Sequence, residues 1–226
     1  MKNIFIFSMI LLRSVPCSCF HTARMARMVT GSNPLHRKLA QLDTLDIYTR
    51  LCIDGRFTAE HIVPRTVSRD PRVRKDLHLI YPTVSLVNSH RSNYRFGDLR
   101  NVSDSTGISM FVHYETGALA PWDDSLGYSV LAKSNRLRTF YPVHCRTKGI
   151  IARSCAYFFA TYGKSIGSKN SLIDFELMRL WNSEFPVSDD ERLRNDKIIH
   201  ASKRSNPFVE SPEALQHFLD SAALFR

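Results

Sequence analysis

Cysteine is scarce in this 226-residue chain and unevenly placed: Cys17 and Cys19 lie near the N-terminus, and Cys52, Cys145 and Cys155 are spread over the rest. Three thiols with no metal-ligand spacing argue against a disulfide framework and against a cysteine-based zinc site. His-Glu-x-x-His and Gly-x-Gly-x-x-Gly are both absent, which removes the minimal chemistry of zincin-type peptidases and of dinucleotide-binding folds. Gly163-Lys164-Ser165 imitates the end of a phosphate-binding loop, but the glycine required five positions earlier is Phe158, whose side chain bars close backbone approach to phosphate. No apolar run approaches the roughly 18–20 residues of a membrane span. Glycine and proline, at nine and ten, are too few for a fibrous or low-complexity chain.

Acidic residues are missing from two stretches. Residues 1–42 carry Lys2, Arg13, Arg24, Arg27, Arg37 and Lys38 with no Asp or Glu, which accounts for +6 of the net +10. Residues 131–169 are again acid-free and carry +8, after an acidic block of −4 over 101–130 and a basic block of +5 over 56–100. Two basic blocks brought together by the fold would form a phosphate-attracting face; scattered over the surface, they would be ordinary solvated charge.

Met1-Lys2-Asn3 followed by the apolar residues Ile4 to Leu12 has the length of a signal-peptide core. The Arg-dotted continuation to Lys38 resembles an organelle transit segment. A leader over residues 1–33 is therefore expected, directing the chain to secretion or to an organelle, with a single domain over 34–226.

Within that domain, spacing predicts a helix over Pro34–Leu51, a strand over Phe57–Val63 ending at Pro64, and irregular chain over 65–82. A short helix capped by Thr83 follows, then strands and loops over 98–145, including Ile108–Tyr114 and Tyr128–Leu131. Gly149–Tyr162 reads as a largely apolar helix; a second opens at Ser171 with Asp174 three residues on, a third spans Asp189–Ala201, and a fourth follows Ser211-Pro212. The fold class is α+β with a mainly helical C-terminal half.

The chemistry concentrates in Thr58-Ala59-Glu60-His61-Ile62-Val63-Pro64, in Asp76-Leu77-His78-Leu79-Ile80-Tyr81-Pro82, and in Val87-Asn88-Ser89-His90-Arg91-Ser92-Asn93. Neighbouring strand residues point to opposite sides, so Glu60 and His61 serve one site only if the chain turns beside them. A carboxylate and an amide oxygen are hard ligands that suit Mg2+, and a neutral imidazole takes a proton from water. His78, between two leucines, reads as a hydrogen-bonded structural histidine.

These blocks resemble the endonuclease I family of non-specific nucleases, built around a ββα-metal (His-Me) finger. Arg146-Thr147-Lys148-Gly149-Ile150-Ile151-Ala152-Arg153 is similar to the family's Arg-Gly-x-Ile-Ala-Arg helix, with Lys148 in place of the first arginine; Leu180-Trp181-Asn182, Phe185-Pro186 and Ser205-Asn206-Pro207-Phe208 continue the likeness in order. The resemblance implies a ββα-metal finger core with Glu60 and Asn88 as ligands of one Mg2+ (Mn2+ or Ca2+ substituting) and His61 as general base. It implies in-line hydrolysis of DNA, and of RNA besides. Arg69 is the candidate for the scissile phosphate. Arg65, Arg91, Lys148 and Arg153 are candidates for nucleic-acid contact, with pairing to a nearby carboxylate the equal alternative for Arg91 and Arg153, and Asn93 is the fallback ligand. The processed chain is expected to be a monomer without stable membrane association. The competing expectation is a catalytically inactive nucleic-acid-binding protein that kept the fold and the basic blocks.

Overall fold

A computed structural model of the chain describes residues 33–50, 53, 57–101, 108–109, 111–112, 119–120, 131–142, 145–163 and 172–223. Residues 1–32 of the expected leader, Met110, His113 and Tyr114 of one strand prediction, Tyr128–Val130 of the other and the Ser171 start signal lie outside the described residues.

Helix α1 spans Pro34–Leu42, with Asn33 as N-cap accepting from the Leu35 amide at 2.9 Å and proline in the first turn, where a missing N–H costs nothing. The expected helix to Leu51 stops nine residues early. Asp43 is extended, and Oδ1 of Asp46 accepts from the Tyr48 and Thr49 amides at 2.7 and 2.8 Å, a local turn that competes with helix.

Strand β1 (Thr58–His61) pairs antiparallel with β2 (Ile80–Thr83), Glu60 opposite Tyr81 and His61 opposite Ile80. The irregular reading of 65–82 misses β2 because Pro82 argues against a strand. In a two-stranded sheet both strands are edges, so proline is tolerated, and the Pro82 carbonyl accepts from the Ile47 amide at 3.0 Å. Two 3-10 turns, Val73–Lys75 and Leu77–Leu79, lead into β2. Helix α2 (Ser85–Arg91) follows directly and contacts β1. Its cap is not the side chain of Thr83. Asp46 Oδ2 accepts from both the Val84 amide (2.6 Å) and Thr83 Oγ1 (2.9 Å), so a carboxylate distant in sequence stabilises the helix start. The order β1, β2, α2 is a ββα unit.

A second sheet places β3 (Arg95–Phe96), β8 (Thr139–Pro142), β7 (Leu131–Ser134) and β4 (Ile108–Ser109) in that spatial order, with β3 parallel to β8. The short strands β5 (Phe111–Val112) and β6 (Leu119–Ala120) pair with each other.

Helix α3 (Cys145–Tyr162) starts four residues before the glycine expected to open it and is buried on nearly all sides from Gly149 to Phe159, as a helix apolar all round should be. It packs on α4 (Phe175–Glu184), capped by Asp174, whose side chain accepts from the Glu176 amide. Trp181 and Met178 of α4 and Phe158 of α3 are fully buried. Helix α5 (Asp189–Ser202) opens on Ser188 with three acids in its first turn, as its charge order predicts, and ends at Lys203 in the left-handed conformation. Helices α6 (Pro207–Glu210) and α7 (Glu213–Ala223) close the helical layer. The result is the expected α+β architecture. Among the described residues no helix is long and apolar enough to cross a membrane.

Candidate active site

Alternation along β1 buries Glu60 (1% exposed) and leaves His61 partly exposed on the opposite side of the strand. Glu60 is held by two residues. Tyr48 donates its hydroxyl proton to Oε1 at 2.7 Å, and Nε of the buried Arg91 stands 3.3 Å from the same oxygen. Burial raises the Glu60 pKa and outweighs the opposing pull of Arg91 and the Tyr48 hydrogen bond, so the carboxyl sits at about 6 instead of 4.5.

His61 turns away from that interior. Its Nε2 lies 3.4 Å from the Arg74 carbonyl, which the chain brings back beside it after the Pro64 turn. Burial lowers its pKa, the Arg74 and Ala59 carbonyls pull the other way, and the positive charges of Arg74 and Arg65 add to the lowering. A histidine so placed stays neutral, as a proton acceptor must. A carbonyl can only accept, so the Arg74 contact favours the proton on Nε2 and leaves Nδ1 as the basic nitrogen.

Asn88 of α2 faces β1. Its Nδ2 donates to Thr58 Oγ1 at 2.9 Å and to the Ala59 carbonyl at 3.2 Å, fastening it to the two residues that precede Glu60. With the amide nitrogen occupied, Oδ1 is the atom offered to a ligand. Carboxylate and amide oxygen together fit a hard divalent cation. Asn93 does not join them: its Oδ1 accepts from Arg138 at 2.6 Å.

The residues of this ββα unit, and the helices behind it, fall inside a family match. The sequence profile of Endonuclease I matches residues 30–213. The chain belongs to the Endonuclease I family.

The chain is also similar to curated proteins: an extracellular deoxyribonuclease of Aeromonas hydrophila is 25% identical over 136 residues, which is 60% of this chain and 49% of the relative. A periplasmic deoxyribonuclease of the same organism is 25% identical over 140 residues, 62% of this chain and 48% of its own. The chain thus spans about half the length of the relatives it matches.

The expected nucleic-acid contacts divide. Arg65 and Arg69 are exposed in the segment after Pro64 and are available to phosphate. Arg91, Lys148 and Arg153 are not. Arg91 is 1% exposed, donates from Nη2 to the Ile62 carbonyl at 2.6 Å and from Nη1 to the Ser92 carbonyl, and stacks 4.7 Å over Phe96. It braces the end of β1 against the end of α2. Arg153, also 1% exposed, grips Glu191 through two 2.7 Å bonds and bonds the Phe185 carbonyl. Lys148 reaches Asp98 at 3.1 Å, beside the rings of Trp181 and Phe185. Asp98 also accepts from Trp181 Nε1 at 2.7 Å, so Lys148 and Arg153 of α3 are paired internally, while Arg146 keeps a half-exposed side chain 3.7 Å from Asp190. His78, as expected of a structural histidine, is buried with Nε2 3.1 Å from the Arg204 carbonyl.

Sequence reasoning did not single out Tyr48, Asp46 or the bracing role of Arg91. Asp46 and Tyr48 lie outside the motif blocks, and only the folded chain carries them to Glu60 and to the start of α2.

Proposed function

We propose that this Endonuclease I family chain is a Mg2+-dependent, sequence-non-specific endonuclease that hydrolyses phosphodiester bonds of DNA and also of RNA. The observation that carries the reading is the fastening of Asn88 to Thr58 and Ala59, immediately before the buried Glu60, with the neutral His61 next in the strand. A buried carboxylate with a raised pKa beside a neutral histidine is the pattern of a functional site. The names of the Aeromonas relatives support the same activity and support secretion.

In this reading Glu60 and Asn88 would hold one Mg2+, the Glu60 carboxylate being kept in place at Oε1 by Tyr48 and Arg91. When bound, the ion would supply Lewis-acid stabilisation of negative charge, a contribution of several kcal/mol. His61 removes the proton of the attacking water at Nδ1, its ring oriented by the Arg74 carbonyl. Arg69 and Arg65 draw the phosphate toward His61 by charge. Attack in line breaks the bond to the 3′ oxygen and leaves a 5′-phosphate.

The test is incubation of the purified protein with supercoiled plasmid and with a labelled RNA, each in Mg2+ and in EDTA. Nicked circles and 5′-phosphorylated RNA fragments formed only with the metal are expected. Intact substrates across Mg2+, Mn2+ and Ca2+ with folded protein would overturn the proposal.

A further inference from the structure

Beside His61 the surface opens into a cleft of about 560 Å3 whose walls include Lys38 of α1, Arg72, Arg74 and Lys75 before β2, and Arg204 beyond α5. Five cations from three separate parts of the chain meet there, although none of the sequence blocks singled them out. We propose that this cleft seats the backbone phosphates of the nucleic-acid strand that flank the scissile phosphate; the proposal rests on the nuclease reading of the His61 site and extends its substrate contact.

Four observations carry it. Arg74 belongs to both places, since its carbonyl lies 3.4 Å from His61 Nε2 while its residue lines the cleft, so the cleft adjoins the segment that backs His61. Asp76 also lines the cleft, but its charge is turned inward: the side chain is 4% exposed, Oδ2 accepts from Tyr157 at 2.9 Å and Tyr162 at 2.7 Å, and Oδ1 accepts from the His78 amide at 3.0 Å. The carboxylate faces hydroxyls and the positive Arg204 and opposes no anion at the mouth. Lys38, Arg72, Lys75 and Arg204 are the exposed cations of the cleft; Arg72 is bonded to Asp70 through both Nε and Nη2, and Arg204 stands 3.8 Å from the inward-turned Asp76. Finally, Pro34, Leu35 and Leu77 line it between the charges, and the volume matches sites that enclose small molecules. Such a recess takes a short stretch of one strand, phosphates to the cations and sugars to the apolar wall.

Because phosphate contacts release counterions, the cleft is read out by salt dependence as well as affinity. The experiment measures binding of a single-stranded 12-nucleotide DNA to the purified protein by fluorescence anisotropy in EDTA, between 50 and 200 mM salt. The triple variant Lys38→Gln, Lys75→Gln, Arg204→Gln is expected to bind at least ~10-fold more weakly, with the salt slope reduced by about 2. Lys38→Gln and Lys75→Gln alone, both exposed and harmless to the fold, each reduce the slope by about 0.7. Wild-type affinity and slope in folded variants, or no binding by the wild-type protein, would overturn the proposal. Cleavage plays no part in this measurement, so a plasmid left uncut in Mg2+ removes the nuclease reading without deciding the cleft, and an unchanged slope removes the cleft while cleavage stands.

Discussion

Tyr48 donates its hydroxyl proton to Oε1 of Glu60 at 2.7 Å, across twelve residues of chain, and both groups are buried. That bond and Arg91 beside the same oxygen set the carboxylate's orientation. Tyr48→Phe removes the donor and little volume. About tenfold weaker Mg2+ binding is expected, in the range typical for partners of a metal ligand, together with a loss of roughly 1–2 kcal/mol in stability. Calorimetric Mg2+ titration and urea unfolding check the two parts; unchanged Mg2+ affinity would remove Tyr48 from the site's support.

Burial holds the Glu60 carboxyl at about 6, above its usual 4.5. A group whose pKa is raised by folding favours the folded state below its unfolded value and loses that contribution as pH rises through the folded one. In metal-free protein, the stability difference between Glu60→Gln and wild type should therefore move in favour of the variant by on the order of 2 kcal/mol between pH 4.5 and 7. Urea midpoints for both proteins across that range test it, since the constant cost of altering the Arg91 pair cancels from the trend. A flat difference would contradict the assigned burial effect.

Gly149 of α3 packs tightly against Phe185 at the end of α4. A Cβ there would stand 2.5 Å from the Phe185 carbonyl oxygen and 2.6 Å from Arg153 Nη2. Gly149→Ala should thus destabilise the protein despite the gain of roughly 1 kcal/mol in helix propensity. A lowered melting temperature is the expected outcome, and a raised one would show that the helices have room.

Arg69 and Arg153 separate substrate contact from scaffold. Arg69→Ala, at an exposed position, should slow DNA cleavage while leaving Mg2+ affinity and melting temperature intact. Arg153→Ala strands the buried Glu191 and should cost about 3–5 kcal/mol of stability. Unfolding curves and cleavage rates for the two variants decide the assignment; an unchanged rate for Arg69→Ala removes it from the site.

The helices of the C-terminal half were legible because their signals are local: acids opening the Asp189–Ala201 stretch, Pro212 after Ser211, apolar residues from Ile150 to Phe159; the start of α4 differs, its cap being Asp174 and not Ser171. The ββα unit was only half legible. Glu60, His61 and Asn88 stand out by chemical type and by resemblance, but β2 was hidden by Pro82, and the start of α2 by a cap, Asp46, that lies 38 residues before Val84. The roles of Arg91 and Arg153 stood open between phosphate and a nearby carboxylate for a related reason. A sequence reports that an arginine is charged, and only the fold reveals that Glu60 or Glu191 already faces it. The cleft lined by Lys38, Lys75 and Arg204 was invisible for want of any sequence proximity.

The most direct measurement is the rate of plasmid nicking by His61→Ala against wild type at saturating Mg2+, with circular dichroism confirming that the variant is folded. Loss of the general base predicts a fall of about 10²–10⁴-fold, with no nicking by either protein in EDTA. Equal rates for the two proteins, or nicking that survives EDTA, would contradict a metal-dependent mechanism that uses His61 as its base.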